Sequence, residues 1–133
     1  MKVHGSCHCN NVTYEAEIDP QRAGICHCTD CQKLTGSAYR VSVPAVDGTF
    51  QLLTGRPSVY VKTGESGSRR AQAFCGGCGS PLYVYDADHP KSYGLRVGCI
   101  EERAQLVPHK QKWCRSALPW TASLAGMERR ETE

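Results

Sequence analysis

The chain has little of what marks an exported, membrane-spanning or nucleic-acid-binding protein. No apolar stretch follows the single early lysine, Lys2, so no secretory signal is indicated. No segment approaches the roughly 20 apolar residues that a membrane-spanning helix needs. The net charge is only +3, and the densest basic cluster is Ser68-Arg69-Arg70. This cluster is too small to form the basic stripe that nucleic-acid binding normally needs. We therefore expect a cytoplasmic protein that binds neither membranes nor nucleic acid.

Helix signals are scarce, whereas strand signals recur along the chain. Apolar residues alternate with polar ones from Asn11 to Ile18, which predicts a half-buried strand with Val12, Tyr14 and Ala16 on its buried face. Further strand-prone stretches, separated by Gly, Pro, Asp or Ser, are residues 38–43, 50–54, 59–63, 71–74, 82–85 and 93–97. This pattern predicts a mainly β fold built from antiparallel sheets.

One short helix is predicted inside this β framework. Thr29 is the expected N-cap, Gln32 completes a capping box, and Gly36 ends the helix after about two turns. With 133 residues, the chain is expected to form a single domain over residues 1–126. Residues 127–133 are rich in charge and are expected to fray.

Cysteine is the residue that the chain has in unusual number. There are nine cysteines, and seven of them stand in three clusters: Cys7-His8-Cys9, Cys26-His27-Cys28-Thr29-Asp30-Cys31 and Cys75-Gly76-Gly77-Cys78. The odd count, the tight clustering and the missing export signal all argue against a disulfide framework. Clustered thiols in a reducing compartment are typical of metal ligands.

Two of the clusters together predict a closed, structural zinc site. In Cys75-Gly76-Gly77-Cys78, two residues separate the thiols, and glycines that allow positive φ let backbone amides turn toward the sulfurs. Cys7 and Cys9 stand at i and i+2 of an extended segment, so their side chains point the same way. The four thiols complete a tetrahedral zinc site that links distant parts of the chain. The alternative is a group of buried cysteines without a metal.

The middle cluster predicts a second zinc site with an open position. Cys26, Cys28 and Cys31 offer three ligands from one local segment, and three protein ligands with a vacant fourth position are typical of catalytic zinc. The protein would then bind two Zn²⁺ ions. Two alternatives remain open: an iron–sulfur cluster, or a site closed by a fourth ligand, for which the candidates are Cys99, Cys114, His27 and His109.

These residues resemble the glutathione-dependent formaldehyde-activating enzyme family, which includes centromere-protein-V-like proteins. The resemblance rests on Gly5-Ser6-Cys7-His8-Cys9, on Cys26-His27-Cys28-Thr29-Asp30-Cys31-Gln32-Lys33 with Gly36, on Phe74-Cys75-Gly76-Gly77-Cys78-Gly79-Ser80-Pro81-Leu82, and on Gly98 and Trp120. Two positions depart from the family pattern. Asn10 replaces a glycine but tolerates left-handed backbone, and Gly98-Cys99-Ile100-Glu101 stands where members often have Gly-x-Leu-Asp.

The resemblance implies a fold, two metal sites and an activity. The fold is Mss4-like, a β-tent stabilised by zinc. Structural zinc is implied at Cys7, Cys9, Cys75 and Cys78, and catalytic zinc at Cys26, Cys28 and Cys31. The implied activity is that of a carbon–sulfur lyase that combines glutathione with formaldehyde to form S-hydroxymethylglutathione.

The implied chemistry gives roles to further residues. His27, inside the middle cluster, is a candidate proton shuttle, and the alternative is that it only hydrogen-bonds a neighbouring group. Glutathione carries two carboxylates, so cationic partners are expected among Lys33, Arg40, Lys62, Arg69, Arg70, Arg96 and Lys112. Two other functions compete with the enzyme: a non-catalytic zinc module that binds a protein partner, and a thiol or metal buffer.

Overall fold

The computed structural model describes all 133 residues and contains ten strands and one α-helix. The strands, numbered β1 to β10 in chain order, are Lys2–Ser6, Thr13–Glu17, Gly24–Cys26, Arg40–Pro44, Gln51–Thr54, Ser58–Thr63, Arg69–Phe74, Pro81–Asp86, Gly94–Arg96 and Lys110–Lys112. The helix, α1, is Thr29–Thr35. Short 3-10 helices lie at Pro20–Arg22, Val97–Cys99, Arg103–Gln105, Cys114–Ser116 and Pro119–Ala122.

The strands form two sheets of unequal size. The small sheet has the order β1-β2-β5, and the large sheet has the order β10-β3-β4-β9-β8-β7-β6. The predicted mainly β fold is confirmed, and every strand pair but one is antiparallel. The exception corrects the expectation of antiparallel pairing alone, because β10 runs parallel to β3, with Gln111 opposite Ile25. A strand of three charged or polar residues gave no pattern from which this pairing could be predicted.

The alternation predicted for the second strand is confirmed. Val12, Tyr14, Ala16 and Ile18 are each at most 2% exposed, and they face the large sheet across the core. The large sheet contributes alternate residues of its own strands to the same core, such as Ala73 of β7. A sheet buried on one face only is expected to alternate in this way. The opposite face of the large sheet therefore remains free to line a site.

The first strand fits the core because it has no side chain at Gly5. The ring of Tyr14 lies directly over this glycine, so a Cβ atom there would overlap the ring. Tyr14 is fully buried and packs edge-on against Tyr83, at 5.8 Å between ring centroids. The close approach of β1 and Tyr14 fixes the position of the chain just before Cys7.

The predicted helix forms, but its N-terminal cap is Cys28 rather than Thr29. The Cys28 sulfur accepts a hydrogen bond from the Cys31 N–H at 3.3 Å, and Thr29 is already the first helical residue. The predicted capping box is also wrong, because the Gln32 side-chain amide donates instead to the carbonyls of His27 and Ser116. Gly36 ends the helix as predicted, with φ of 63°.

Two further predictions concern membrane-spanning helices and the C-terminal tail. No helix in the structure combines the length and the apolar character needed to cross a bilayer. Residues 127–133 are exposed throughout and belong to no helix or strand. The division into one domain and a frayed tail stays a prediction.

Candidate metal and thiol site

The first of two sulfur clusters joins the N-terminal segment to the turn after β7. The sulfurs of Cys7, Cys9, Cys75 and Cys78 all lie within 4.8 Å of one another, and two of the separations are 3.6 Å (Cys7–Cys9) and 3.7 Å (Cys9–Cys75). A tetrahedral zinc ion with Zn–S bonds of about 2.3 Å holds its sulfurs roughly 3.8 Å apart. The donor set and its spacing therefore fit a zinc ion. We call this group the four-sulfur cluster.

Backbone turns and amide donors shape the four-sulfur cluster. After Cys9 the chain turns at Asn10, which has φ of 61°. Asn10 thus adopts the left-handed backbone expected at the position where family members usually have a glycine. The Val12 N–H then donates to the Cys7 sulfur at 3.3 Å. The positive φ expected within the Cys75–Cys78 turn lies one residue after it, at Gly79 (φ 80°), so that prediction is corrected. Gly76 is needed for a different reason, since a Cβ atom there would come within 2.6 Å of the Ser58 hydroxyl.

The second group is built from a single stretch of six residues. Cys26 ends β3, Cys28 caps α1, and Cys31 lies in the first turn of the helix. Their three sulfurs lie within 4.8 Å of one another, and no other histidine, cysteine or carboxylate joins the group. We call it the three-sulfur cluster. Its donors are thiols only, which suits a soft divalent metal such as zinc.

The candidate fourth ligands lie elsewhere. Cys99 donates its thiol hydrogen to the Pro81 carbonyl at 3.2 Å, and Cys114 is exposed. His109 does not join the cluster. The His27 ring is 2% exposed, and its Nε2 atom is 2.7 Å from the Gln111 side-chain oxygen. His27 thus follows Cys26 in sequence but contacts the neighbouring strand, because successive residues of an extended chain point to opposite sides.

The three-sulfur cluster holds thiols with divergent acidities. Burial, together with hydrogen bonds with Cys28 and Cys26, raises the pKa of Cys31 to about 12. Burial also raises the pKa of Cys28, but hydrogen bonds from the Cys31 N–H and thiol and from Cys26 outweigh it, so the net shift is downward. Like charges at this distance oppose ionisation of all three thiols unless a cation compensates them.

A cavity of about 400 Å³ opens beside the three-sulfur cluster. Its floor is the free face of the large sheet, and α1 forms one wall with Asp30, Cys31 and Leu34. Cys26 also reaches the cavity, so two of the three cysteines face it. The His27 ring does not line this cavity. Cavities of this size accommodate small organic ligands.

The cavity is strongly cationic. Its only acid is Asp30, which pairs with the Lys62 ammonium at 2.8 Å. Five of the cationic residues singled out from the sequence line it, namely Arg40, Lys62, Arg70, Arg96 and Lys112, whereas Lys33 and Arg69 do not. Sequence reasoning missed Arg22 and Lys110, which also line it. Lys110 reaches the cavity through the parallel pairing of β10, a contact that no local pattern signals.

The fold and the two clusters define a class: a cysteine-rich β protein with two groups of thiols that could hold metal ions, one of which borders a cavity lined by cationic residues. A model of the family described as "Glutathione-dependent formaldehyde-activating enzyme" matches residues 2–116. The chain therefore belongs to the glutathione-dependent formaldehyde-activating enzyme family.

The other comparisons bear on the fold. A Rhodobacter sphaeroides protein, a structural genomics target solved by crystallography, is similar with a TM-score of 0.63 at 22% sequence identity. The alignment covers 84% of this chain and 100% of that protein. At this identity, the similarity supports the fold alone. The comparison with curated proteins gave no match.

Proposed function

We propose that this protein is a zinc-dependent enzyme of the carbon–sulfur lyase type. It reversibly adds a glutathione-like thiol to formaldehyde or a related small aldehyde, as S-hydroxymethylglutathione synthases do. One observation carries the proposal: the three-sulfur cluster has no fourth protein ligand and borders a cationic cavity that can hold a small molecule. Because reduced thiolates are required, we place the activity in the cytoplasm.

Two zinc ions per chain would serve different purposes. Cys7, Cys9, Cys75 and Cys78 would hold the structural ion, and Cys26, Cys28 and Cys31 the catalytic one. Bound there, zinc would act as a Lewis acid that lowers the pKa of an incoming thiol and makes the thiolate available at neutral pH.

The residues of the chain contribute binding and orientation. Cys26 and Cys31 place the reacting sulfur at the cavity wall, while the cationic lining attracts and holds a carboxylate-bearing thiol. In the reaction, a bond forms between the thiol sulfur and the carbonyl carbon. The thiol proton ends on the aldehyde oxygen, which becomes a hydroxyl group. The reverse reaction breaks the same carbon–sulfur bond, so no oxidant or reductant is consumed.

In this scheme, His27 does not act as the proton shuttle. Its ring is buried, one nitrogen contacts Gln111, and the other, Nδ1, has no hydrogen-bond partner in the protein. The geometry suits a positioning contact between β3 and β10 better than proton exchange with the cavity.

Exchange spectroscopy tests the activity directly. The exchange between free formaldehyde and its glutathione adduct is measured by NMR with catalytic amounts of protein. The wild type and Cys114→Ser, a control at an exposed thiol outside both clusters, should accelerate the exchange. Cys28→Ser should not. If the wild type loaded with two zinc ions leaves the uncatalysed rate unchanged, the proposed activity is wrong.

A non-catalytic interaction module is the second candidate, and one observation favours it. The edge strand β6 exposes three consecutive apolar residues, Val59, Tyr60 and Val61, between 37% and 56%. An exposed apolar edge strand is a common docking element. Such a module would bind two zinc ions without accelerating the exchange, whereas a thiol or metal buffer would show variable metal loading.

A further inference from the structure

Two arginines on the floor of the cavity are buried without an acidic partner. Arg40 is 4% exposed and Arg96 is 9% exposed, and neither forms an ion pair with an aspartate or glutamate. A buried guanidinium without a counter-charge destabilises the fold substantially. No aspartate or glutamate compensates these two charges, so an anion that enters the cavity from outside would stabilise them.

The hydrogen bonds of the pair leave donors unused. Arg96 donates to the Ser42 hydroxyl at 2.8 Å and to the Gln72 side-chain oxygen at 2.7 Å. Arg40 donates to the same Gln72 oxygen at 3.3 Å, and its Nε–H is buried without any partner. One neutral amide oxygen therefore bridges two cations. A carboxylate, with four lone-pair positions, would match these donors far better.

Strand pairing brings this arginine pair next to the three-sulfur cluster. Cys26 of β3 is the register partner of Arg40 in β4, and Ser42, two residues further, is the partner of Arg96 in β9. Opposite residues of an antiparallel pair have Cβ atoms about 4.5–5.5 Å apart. A ligand that touches both the sulfurs and the arginines therefore needs only a few bonds between its thiol and its anion.

The negative charges of the three sulfurs can compensate only part of the positive charge in the cavity. Burial lowers the pKa of Arg40, and the negative charges of Cys31, Cys28 and Cys26 oppose that shift. Burial and the neighbouring charge of Arg40 together lower the pKa of Arg96 to about 9. The lining holds seven cationic residues against one acid, Asp30. Even three ionised thiols would therefore leave positive charge for a carboxylate to compensate.

We propose that Arg40, Gln72 and Arg96 form the carboxylate subsite for the thiol substrate. The inference rests on the proposed function, because it takes the ligand of the three-sulfur cluster to be a thiol. It adds which residues determine specificity: these three bind a carboxylate a few bonds from the sulfur, so neutral or cationic thiols such as 2-mercaptoethanol or cysteamine are poor substrates.

The substitution Gln72→Glu tests the subsite by supplying the missing carboxylate from within the protein. The probe is S-methylglutathione, which keeps both carboxylates but cannot react, and its binding is measured by calorimetry at constant ionic strength. We expect at least tenfold weaker binding and a higher melting temperature of the ligand-free protein. Gln105→Glu makes the same charge change at an exposed position outside the cavity, and it should change neither quantity.

A second variant, Arg96→Lys, keeps the charge and removes the two-pronged guanidinium. It should also weaken binding of S-methylglutathione, by about fivefold or more, because a lysine cannot make paired bonds to a carboxylate. Unchanged binding in both variants would overturn the inference. So would inorganic phosphate binding the wild type as tightly as S-methylglutathione does, because the subsite would then serve a free oxyanion.

The design separates this inference from the proposed function. Binding of S-methylglutathione involves no reaction, so it can succeed even where formaldehyde exchange fails. Conversely, full exchange activity in Gln72→Glu at low glutathione concentration would reject the carboxylate subsite and leave the lyase activity standing.

Discussion

The two sulfur clusters use the same ligand type, but the chain builds them in different ways. The four-sulfur cluster takes Cys7 and Cys9 from the segment after β1 of the small sheet, and Cys75 and Cys78 from the turn after β7 of the large sheet. The three-sulfur cluster takes all its ligands from residues 26–31. A metal held by distant segments closes a long loop, so it constrains the unfolded chain more than a metal held by one short segment does.

Burial differs between the clusters as well. In the four-sulfur cluster, Cys7 and Cys75 are 1% and 3% exposed and belong to the hydrophobic core, whereas Cys9 and Cys78 are exposed. The four-sulfur cluster is thus anchored in the core on one side and faces solvent on the other, and its own fourth thiol completes the donor set. Cys26, Cys28 and Cys31 are all half-buried, and their cluster borders the cavity, which keeps it accessible to a ligand.

Removing a buried sulfur of the four-sulfur cluster should have the largest effect. Cys75→Ser is expected to unfold the domain, because structural zinc sites contribute about 10–16 kcal/mol while a whole domain is stable by only about 5–15 kcal/mol. Circular dichroism and the dispersion of amide NMR signals measure the outcome. Cys114→Ser is the matched control and should fold normally. A folded Cys75→Ser protein with one zinc ion would show that this cluster is not the cross-link.

Adding a methyl group beneath Tyr14 should have the next largest effect. Gly5→Ala forces the ring away from β1, and overpacking of this kind destabilises by about 1–3 kcal/mol. Urea denaturation measures the free energy of unfolding. Gly98→Ala is the control, because a Cβ atom at Gly98 meets no atom within 4 Å. Equal stability of the two variants would contradict the close packing of the segment that leads to Cys7.

Removing a sulfur from the three-sulfur cluster should affect the chemistry and spare the fold. Cys28→Ser is expected to keep the free energy of unfolding within about 1 kcal/mol of the wild type, because serine is itself a good N-cap for α1. It should bind one zinc ion per chain instead of two and lose the exchange activity. Elemental analysis and urea denaturation are the measurements. If this variant unfolds like Cys75→Ser, the contrast between the clusters is wrong.

The smallest effect concerns an exposed ion pair on the strand that leads to the four-sulfur cluster. His4 Nδ1 lies 2.7 Å from the Glu102 carboxylate, and this hydrogen bond raises the pKa of His4 above its ordinary 6.5. The stabilisation is therefore complete below pH 6.5 and is lost as the pH rises through the raised value.

Because the pair is exposed and screened, we expect about 0.5 kcal/mol at most. Melting curves between pH 5 and 9 should show the loss in the wild type and not in His4→Gln. Lys2→Gln removes a different exposed pair on β1, the one with Glu15, and should preserve the pH dependence. A wild-type curve that stays flat over this range would remove His4 from the contacts that hold β1.

Much of the site was readable from the sequence because it depends on short-range spacing. The separations within Cys7-His8-Cys9, within Cys26 to Cys31 and within Cys75 to Cys78 are set by covalent geometry and tight turns, so each group of sulfurs must converge locally. The alternation around Tyr14 likewise depends only on the two-residue period of a strand. The helix cap was wrong by one residue, because the sulfur of Cys28 replaced the hydroxyl of Thr29 as the acceptor.

By itself, then, the sequence determined the mainly β class, the three-sulfur cluster, the two cysteine pairs that meet in the four-sulfur cluster and the turn at Asn10, each of which follows from residues near one another in the chain. Only the tertiary structure decided which cations face the ligand. Arg40 meets Arg96 through Gln72, and Lys110 reaches the cavity, because of strand order and register between distant segments. A one-residue change of register would turn these side chains to the other face. That long-range choice depends on burying the apolar face of the whole large sheet, which no local pattern specifies.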